Sequence, residues 1–265
     1  MQKDKDIGGE FERLASIMRR LRGPGGCPWD REQTYGDINP YMLEEVHEVM
    51  EAIDRGDMDA LREELGDLLL HIFFHAELAR EEGKFDIYDV VHGICEKIIH
   101  RHPHVFSGAS ISDSEAVVRR WEEIKKDEGK ESVFDGMPDS LPALLKAYRI
   151  GEKVHRVGFD WKDLDGILGK LSEEIRELDM ARRRGDKGEV EREYGDLLFT
   201  IANIGRFLKV NPEEALRKSS NRFIERFQRM ERLAKDEGLD ERRLSDEEWD
   251  RLWERAKAEI EGGGS

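Results

Sequence analysis

The feature that most constrains this chain is an acidic pattern written twice. Glu44, Glu45, Glu48, Glu64 and Asp67 recur as Glu173, Glu174, Glu177, Glu193 and Asp196, and the displacement is constant, 173 − 44 = 129 and 196 − 67 = 129. Carboxylates three or four residues apart share one helix face, where like charges cost about 0.2 to 0.5 kcal/mol per pair. A repulsion held in register across an internal duplication calls for something that offsets it. A hard divalent cation is the obvious candidate.

The same repeat points to a fold class. Leu61, Leu65, Leu68, Leu69, Ile72, Phe73 and Ala76 recur at threes and fours, the spacing of one buried helix stripe, and Leu197, Leu198 and Ile201 repeat part of it. No stretch sustains a period of two, and Gly and Pro fall between helical stretches. The expected fold is all-α, with tandem duplicated helical bundles. In each copy an acidic helix, near 41–54 or 170–184, meets a Gly-Asp break at Gly56-Asp57 or Gly185-Asp186. A long second helix follows, so each pair should close as an antiparallel hairpin.

Further pieces repeat with slightly changed displacements, as loop insertions produce. Lys97 and Arg101 answer to Arg222 and Arg226, and Trp121 and Lys125 to Trp253 and Lys257. The stretch 127–142, with Gly129, Gly136, Pro138 and Pro142, reads as a linker. It separates an N-terminal domain over 1–126 from a C-terminal domain over 143–261, each with about four helices, enough for a small bundle.

Charge narrows the partners. With 44 Lys+Arg against 60 Asp+Glu, the formal charge is 44 − 60 = −16, which opposes docking on nucleic acid or an anionic membrane. Cys27 and Cys95 give no disulfide framework, and neither a leader nor an apolar run of membrane-spanning length is visible, so a cytoplasmic protein is expected. The closing Gly262-Gly263-Gly264-Ser265 reads as a flexible tail outside the fold.

If each hairpin is antiparallel, its carboxylates converge between two helices as an oxygen-rich cage. Mg²⁺ prefers octahedral oxygen ligands and keeps several waters, which leaves positions for a phosphate substrate and an attacking water; Mn²⁺ is the expected substitute. One Glu-Glu-x-x-Glu alone is usually a solvated helix face. Duplication together with the matching Glu-x-x-Asp favours metal. An iron reading starts from Glu44 and His47, the Glu-x-x-His pair of di-iron bundles, and fails in the second copy, where Arg176 replaces His47. His100, His102 and His104, spaced two apart around Pro103, suit a helix end better than a soft-metal site.

At these residues the chain closely resembles the MazG family of nucleoside triphosphate pyrophosphohydrolases. The resemblance is carried by Cys27-Pro28-Trp29-Asp30 with Gln33-Thr34, Glu44-Glu45-x-x-Glu48, Glu64-Leu65-Gly66-Asp67 and the run from Arg101 to Phe106. The second half answers with Gly158-Phe159-Asp160-Trp161, Glu173-Glu174-x-x-Glu177, Glu193-Tyr194-Gly195-Asp196 and Leu252-Trp253-x-x-x-Lys257. It implies a Mg²⁺-dependent, homodimeric, all-α enzyme that cleaves nucleoside triphosphates between the α- and β-phosphates, releasing a nucleoside monophosphate and pyrophosphate. Hydrolysis of a phosphoanhydride needs charge neutralised on phosphate oxygens and a water aligned with the scissile bond, which agrees with the carboxylates. The acting set is then Glu174, Glu177, Glu193 and Asp196, with Glu173 a further metal ligand; which carboxylate activates water stays open.

The copies differ around that set. The C-terminal half adds Lys170, one turn before Glu173, and Asn203, two turns after Asp196, where the N-terminal half has Tyr41 and Phe74. By resemblance, Arg222, Arg226 and Lys257 are phosphate contacts and Trp253 a stacking surface for the base. Lys146, Arg149 and Lys153 read as a solvated basic face. The C-terminal copy is expected to hold the principal site, and the N-terminal copy is either an altered site or a structural or regulatory partner. A nucleotide- or metal-sensing scaffold without turnover is the competing function.

Overall fold

The structure is a computed structural model and describes residues 6–107, 132–240 and 244–262. These residues are helical, with no strand among them. The chain divides between residues 128 and 129 into two compact units.

The first unit comprises α1 (Ile7–Arg22), α2 (Pro28–Glu32), α3 (Tyr35–Arg55), α4 (Met58–Glu81), α5 (Ile87–Arg101) and α6 (Pro103–Phe106). Its centre is the α3–α4 hairpin, with α1 packed on α4. Met18, Ile38, Phe73, Phe74 and Leu78 form the core. The hairpin closes where the sequence placed its break. Gly56 takes a left-handed φ of 67°, which a side chain would disfavour, and Asp57 caps α4 by accepting hydrogen bonds from the Asp59 and Ala60 amides.

The second unit comprises α7 (Ala143–Arg156), α8 (Leu164–Arg184), α9 (Lys187–Leu208), α10 (Pro212–Asp236) and α11 (Asp246–Gly262). Here α9 packs on α8 and α7. Gly185 (φ 76°) and Asp186 repeat the same break, the Asp186 carboxylate capping the Gly188 and Glu189 amides. Ile38 and Ile167 (167 − 38 = 129) and Ala52 and Ala181 (181 − 52 = 129) are buried in both copies, so the duplication extends to the hairpin's packing. A second hairpin, α10–α11, carries its own cluster of Met230, Leu233, Ala234, Leu252 and Ala256.

Two expectations change. The acidic helices begin six residues early, at Tyr35 and Leu164. Caps explain this: the Thr34 amide donates to Asp37 Oδ2, and Asp163 Oδ1 accepts from the Gly166 amide. The apolar stripe is not uniformly buried, because each unit covers its hairpin on one side only. Phe73 and Ala76 are inside while Leu65, Leu198 and Ile201 are exposed. Trp121, Lys125, linker residues 127–131 and the tail residues 263–265 lie outside the described residues. His102 ends α5 and Pro103 opens α6, as the sequence suggested for the histidine cluster.

Candidate active site

In the second unit, α8 contributes Glu174 and Glu177 and α9 contributes Glu193. One oxygen from each lies within 4.8 Å of the others. Glu174 is the buried member, 3 % exposed. Burial first, then the charges of Glu177, Asp196 and Glu174, push the Glu193 carboxyl above its ordinary range. Asp196 contributes to that field but stands outside the three-oxygen set. Glu173 also stands outside that set, its carboxyl held below the usual range by the hydrogen bond from Lys170.

Lys170 is one helical turn away, and its Nζ lies 2.8 Å from Glu173 and 2.6 Å from Glu174. Those two hydrogen bonds raise its pKa, so the ammonium stays charged. Asn203 shares the cluster's face of α9 yet is fully buried. Its Nδ2 donates to the Phe199 carbonyl, while its Oδ1 has no partner and rests against Gly151. A Cβ on Gly151 would stand 1.8 Å from that oxygen, so the glycine makes Asn203's position available.

The first unit builds the same triangle from Glu45 and Glu48 on α3 and Glu64 on α4, again within 4.8 Å. Glu44 and Asp67 stand outside it. Burial first, then Glu48 and Asp67, raises the Glu45 carboxyl; burial and Glu48 raise Glu64. The surroundings differ. Tyr41 occupies the place of Lys170 and is exposed, edge-on to Trp29 with ring centroids 6.3 Å apart. Phe74 occupies the place of Asn203 and packs with Met18. Met18 on α1 clusters with Phe74 as Gly151 on α7 lies against Asn203, so Met18 and Gly151 occupy corresponding places in the packing. An apolar pair in one unit thus replaces a glycine and a buried amide in the other.

Two features escaped the sequence reading. His71 on α4, 9 % exposed, places its Nε2 3.6 Å from Glu45 Oε1. It lies four residues beyond Asp67, but the second copy has Thr200 there (200 − 71 = 129), so the repeat gave no signal. Asp160, noted only as part of a motif, is gripped by both terminal nitrogens of Arg206 and receives His155 Nδ1 at 2.6 Å. Burial alone would raise the Asp160 carboxyl; Arg206 and His155 bring it below the usual range. This clamp ties the turn after α7 to α9.

The remaining site residues sit on the second hairpin. Arg226 lies over the Trp253 ring, 5.7 Å from its centroid, and pairs with Glu261 at 2.6 Å. Arg222 is exposed and Lys257 half-buried. These residues are therefore gathered on α10–α11, whereas α8 has its principal packing with α9. Lys146 and Arg149 pair with Asp139 and Glu152, as a solvated face would.

Fold and site define an all-α protein with duplicated acidic hairpins, each presenting three converging carboxylates. A family model described as the MazG nucleotide pyrophosphohydrolase domain matches residues 33–106. The chain is 48 % identical over 256 residues, 96 % of its length and 98 % of the relative's, to the nucleoside triphosphate pyrophosphohydrolase/pyrophosphatase MazG of Thermotoga maritima. It is 43 % identical over 255 residues, 94 % and 97 % of the two lengths, to the nucleoside triphosphate pyrophosphohydrolase of Escherichia coli K12. A crystal structure of a MazG-related protein from Thermotoga maritima aligns with 43 % of this chain and 98 % of that one, at 34 % identity and a TM-score of 0.38. The chain belongs to the MazG family of nucleoside triphosphate pyrophosphohydrolases.

Proposed function

We propose that this chain hydrolyses ribo- or deoxyribonucleoside triphosphates between the α- and β-phosphates in a Mg²⁺-dependent reaction centred on the C-terminal hairpin, serving nucleotide-pool control. The observation that carries the reading is the Glu174–Glu177–Glu193 triangle with the Lys170 ammonium at its edge. The donor set fits the ion. Ligands on opposite sides of Mg²⁺ stand about 4.2 Å apart, twice a bond of about 2.1 Å, and the three oxygens fall within nearly that span. Burial and then the neighbouring carboxylates raise the Glu193 carboxyl, a cost that a cation among them would offset. Bound there, the cation would neutralise phosphate oxygens and polarise the scissile bond.

The chain's own residues do the rest. Glu174, Glu177, Glu193 and Asp196 hold the cation, and a carboxylate oxygen left free of it orients the attacking water. Lys170 meets the triphosphate tail, since its charge is secured by its neighbours. Arg222, Arg226 and Lys257 add phosphate contacts and Trp253 a face for the base. A homodimer is part of the proposal, because Leu168, Ile175, Met180 and Leu198 stand exposed on the acidic hairpin, the kind of apolar surface that a second copy covers. Mn²⁺ should substitute for Mg²⁺, and the chain should work without nucleic acid.

Incubation of the purified protein with ATP and Mg²⁺, with products separated, tests the reading. AMP and pyrophosphate are expected. ADP and orthophosphate as first products, or binding without turnover, would remove it. Light scattering should give twice the chain mass.

A further inference from the structure

Each acidic hairpin holds like charges between two helices, and a tight turn closes it at one end only, at Gly56 or Gly185. The other end, where the first helix starts and the second stops, is held in both units by a buried arginine. In the second unit Arg206, near the end of α9, sends both terminal nitrogens to Asp160, which precedes α8. His155 Nδ1, at the end of α7, meets the same carboxylate at 2.6 Å. In the first unit the hub is Arg22, the last residue of α1. Its Nε and one terminal nitrogen each lie 2.9 Å from the carboxylate of Glu81, the last residue of α4. Its other terminal nitrogen donates to the Asp30 and Gln33 carbonyls ahead of α3. The Arg206 and Arg22 side chains are 10 % and 5 % exposed, and each guanidinium lies over a phenylalanine ring, Phe207 or Phe74. The two arginines come from different elements of their units, so the internal repeat does not register them.

We propose that Arg206 and Arg22 are positioning residues: each pins the open end of its acidic hairpin, and so sets how closely the facing carboxylates approach and how tightly they hold a divalent cation. The proposal rests on the reading that the hairpins bind such an ion. On α9, Glu193 is 193 − 185 = 8 residues from the Gly185 turn and Arg206 is 206 − 185 = 21, roughly 12 and 32 Å at the rise of an α-helix. The carboxylates therefore lie between the turn and the clamp, and Arg206 is too distant to touch an ion held there. Repulsion among Glu174, Glu177 and Glu193 pushes α8 and α9 apart, and a hairpin closed only at Gly185 yields by splaying. For rigid helices pivoting at the turn, an opening of about 0.5 Å at the acids, the tolerance of a preorganised site, is only about 1.3 Å at the clamp. A planar fork bonded at two points resists a displacement of that size, where a single flexible ammonium follows it.

The test measures Mn²⁺ binding to the full chain, through the electron spin resonance of the free ion, in two backgrounds: Glu64→Gln, which weakens the N-terminal cluster, and Glu193→Gln, which weakens the C-terminal one. Arg206→Lys and Arg22→Lys keep the buried charge and lose the fork. In the Glu64→Gln chain, Arg206→Lys should weaken Mn²⁺ binding by roughly tenfold, the lower end of what loss of an outer support costs, while Arg22→Lys should change it by less than about twofold. In the Glu193→Gln chain the order should reverse. Pyrophosphate release should split the same way: Arg206→Lys should raise the Mg²⁺ needed for half-maximal rate by roughly tenfold and leave kcat at saturating Mg²⁺ within about twofold. An arginine that serves only stability would lower Tm without this pairing of variant and cluster. Asp160→Asn should match Arg206→Lys, and it takes that variant's place should the lysine chain not fold. Equal weakening by both variants in both backgrounds, unchanged binding in Arg206→Lys, or no Mn²⁺ bound in either background would overturn the proposal. Failure of the pyrophosphohydrolase reading is seen separately, in the products that the unsubstituted chain makes from ATP.

Discussion

The N- and C-terminal hairpins carry the same five carboxylates and differ in what stands around them. Beside the triangle the C-terminal unit has an ammonium, and behind it a buried amide over a glycine; the N-terminal unit has an imidazole, an exposed tyrosine and a Met–Phe core. Duplication has preserved the groups that gather positive charge while their neighbours have drifted. The shared property is thus the converging carboxylates, and the residues around them are where the copies part. The two surroundings are incompatible with each other, because a polar group held beside the carboxylates is unavailable to fill an apolar core.

The largest expected effect separates the two triangles directly. Glu193→Gln should lower pyrophosphate release by on the order of a hundred- to a thousandfold, the range seen when one group that stabilises transition-state charge is removed. Glu64→Gln, the equivalent change in the first unit (193 − 64 = 129), should leave turnover within a small factor of wild type. Steady-state assays at saturating Mg²⁺ with ATP and dATP decide it. A reversed order would move the principal site to the N-terminal hairpin.

Stability should divide the other way. Met18→Ala empties a fully buried position beside Phe74 and should cost about 2 kcal/mol or more in denaturant unfolding. Gly151→Ala at the equivalent place fills space already taken by Asn203 and should cost about 1 kcal/mol or more while also reducing turnover. Equal loss of activity in both variants would mean the two units work as one.

A smaller effect is expected at Lys170. Lys170→Met should reduce kcat/KM by roughly tenfold, the weight of one charge-assisted contact to phosphate. Tyr41→Phe should leave it unchanged. In metal-free protein the same Lys170→Met should lower Tm, since Glu173 and Glu174 lose the cation that pairs them.

The smallest effect is a pH dependence. Glu45, Glu64 and Glu193 have folded pKa values raised above the ordinary 4.5. A raised carboxyl stabilises the fold while protonated, so its contribution is full below pH 4.5 and is lost as pH rises through the folded value. In EDTA, the Tm of Glu64→Gln should therefore exceed that of wild type at neutral pH and converge with it below pH 4.5. Glu193→Gln should show a smaller gain, because Lys170 already compensates the C-terminal cluster. Added Mg²⁺ or Mn²⁺ should reverse the order of variant and wild type. Identical pH curves for both variants would erase the electrostatic contrast between the units.

The sequence by itself determined the all-α class, the two hairpins, their Gly-Asp closures and the ten carboxylates. Each of these depends on local spacing: periodicity at threes and fours, a glycine free to take positive φ, an aspartate free to cap. The tertiary structure alone decided which carboxylates meet. Glu44 and Glu173 share helices with the triangles yet stand outside the three converging oxygens, because a helix facing one partner presents only part of its surface to it. It also decided that Lys170 pairs with the acids it precedes, that Asn203 is sealed against Gly151, and that Arg222, Arg226, Trp253 and Lys257 belong to a different hairpin from the cluster. His71 shows the limit most plainly. Internal repetition reveals only what both copies keep, and a residue present in one copy becomes visible when folding sets it 3.6 Å from a carboxylate contributed by the facing helix.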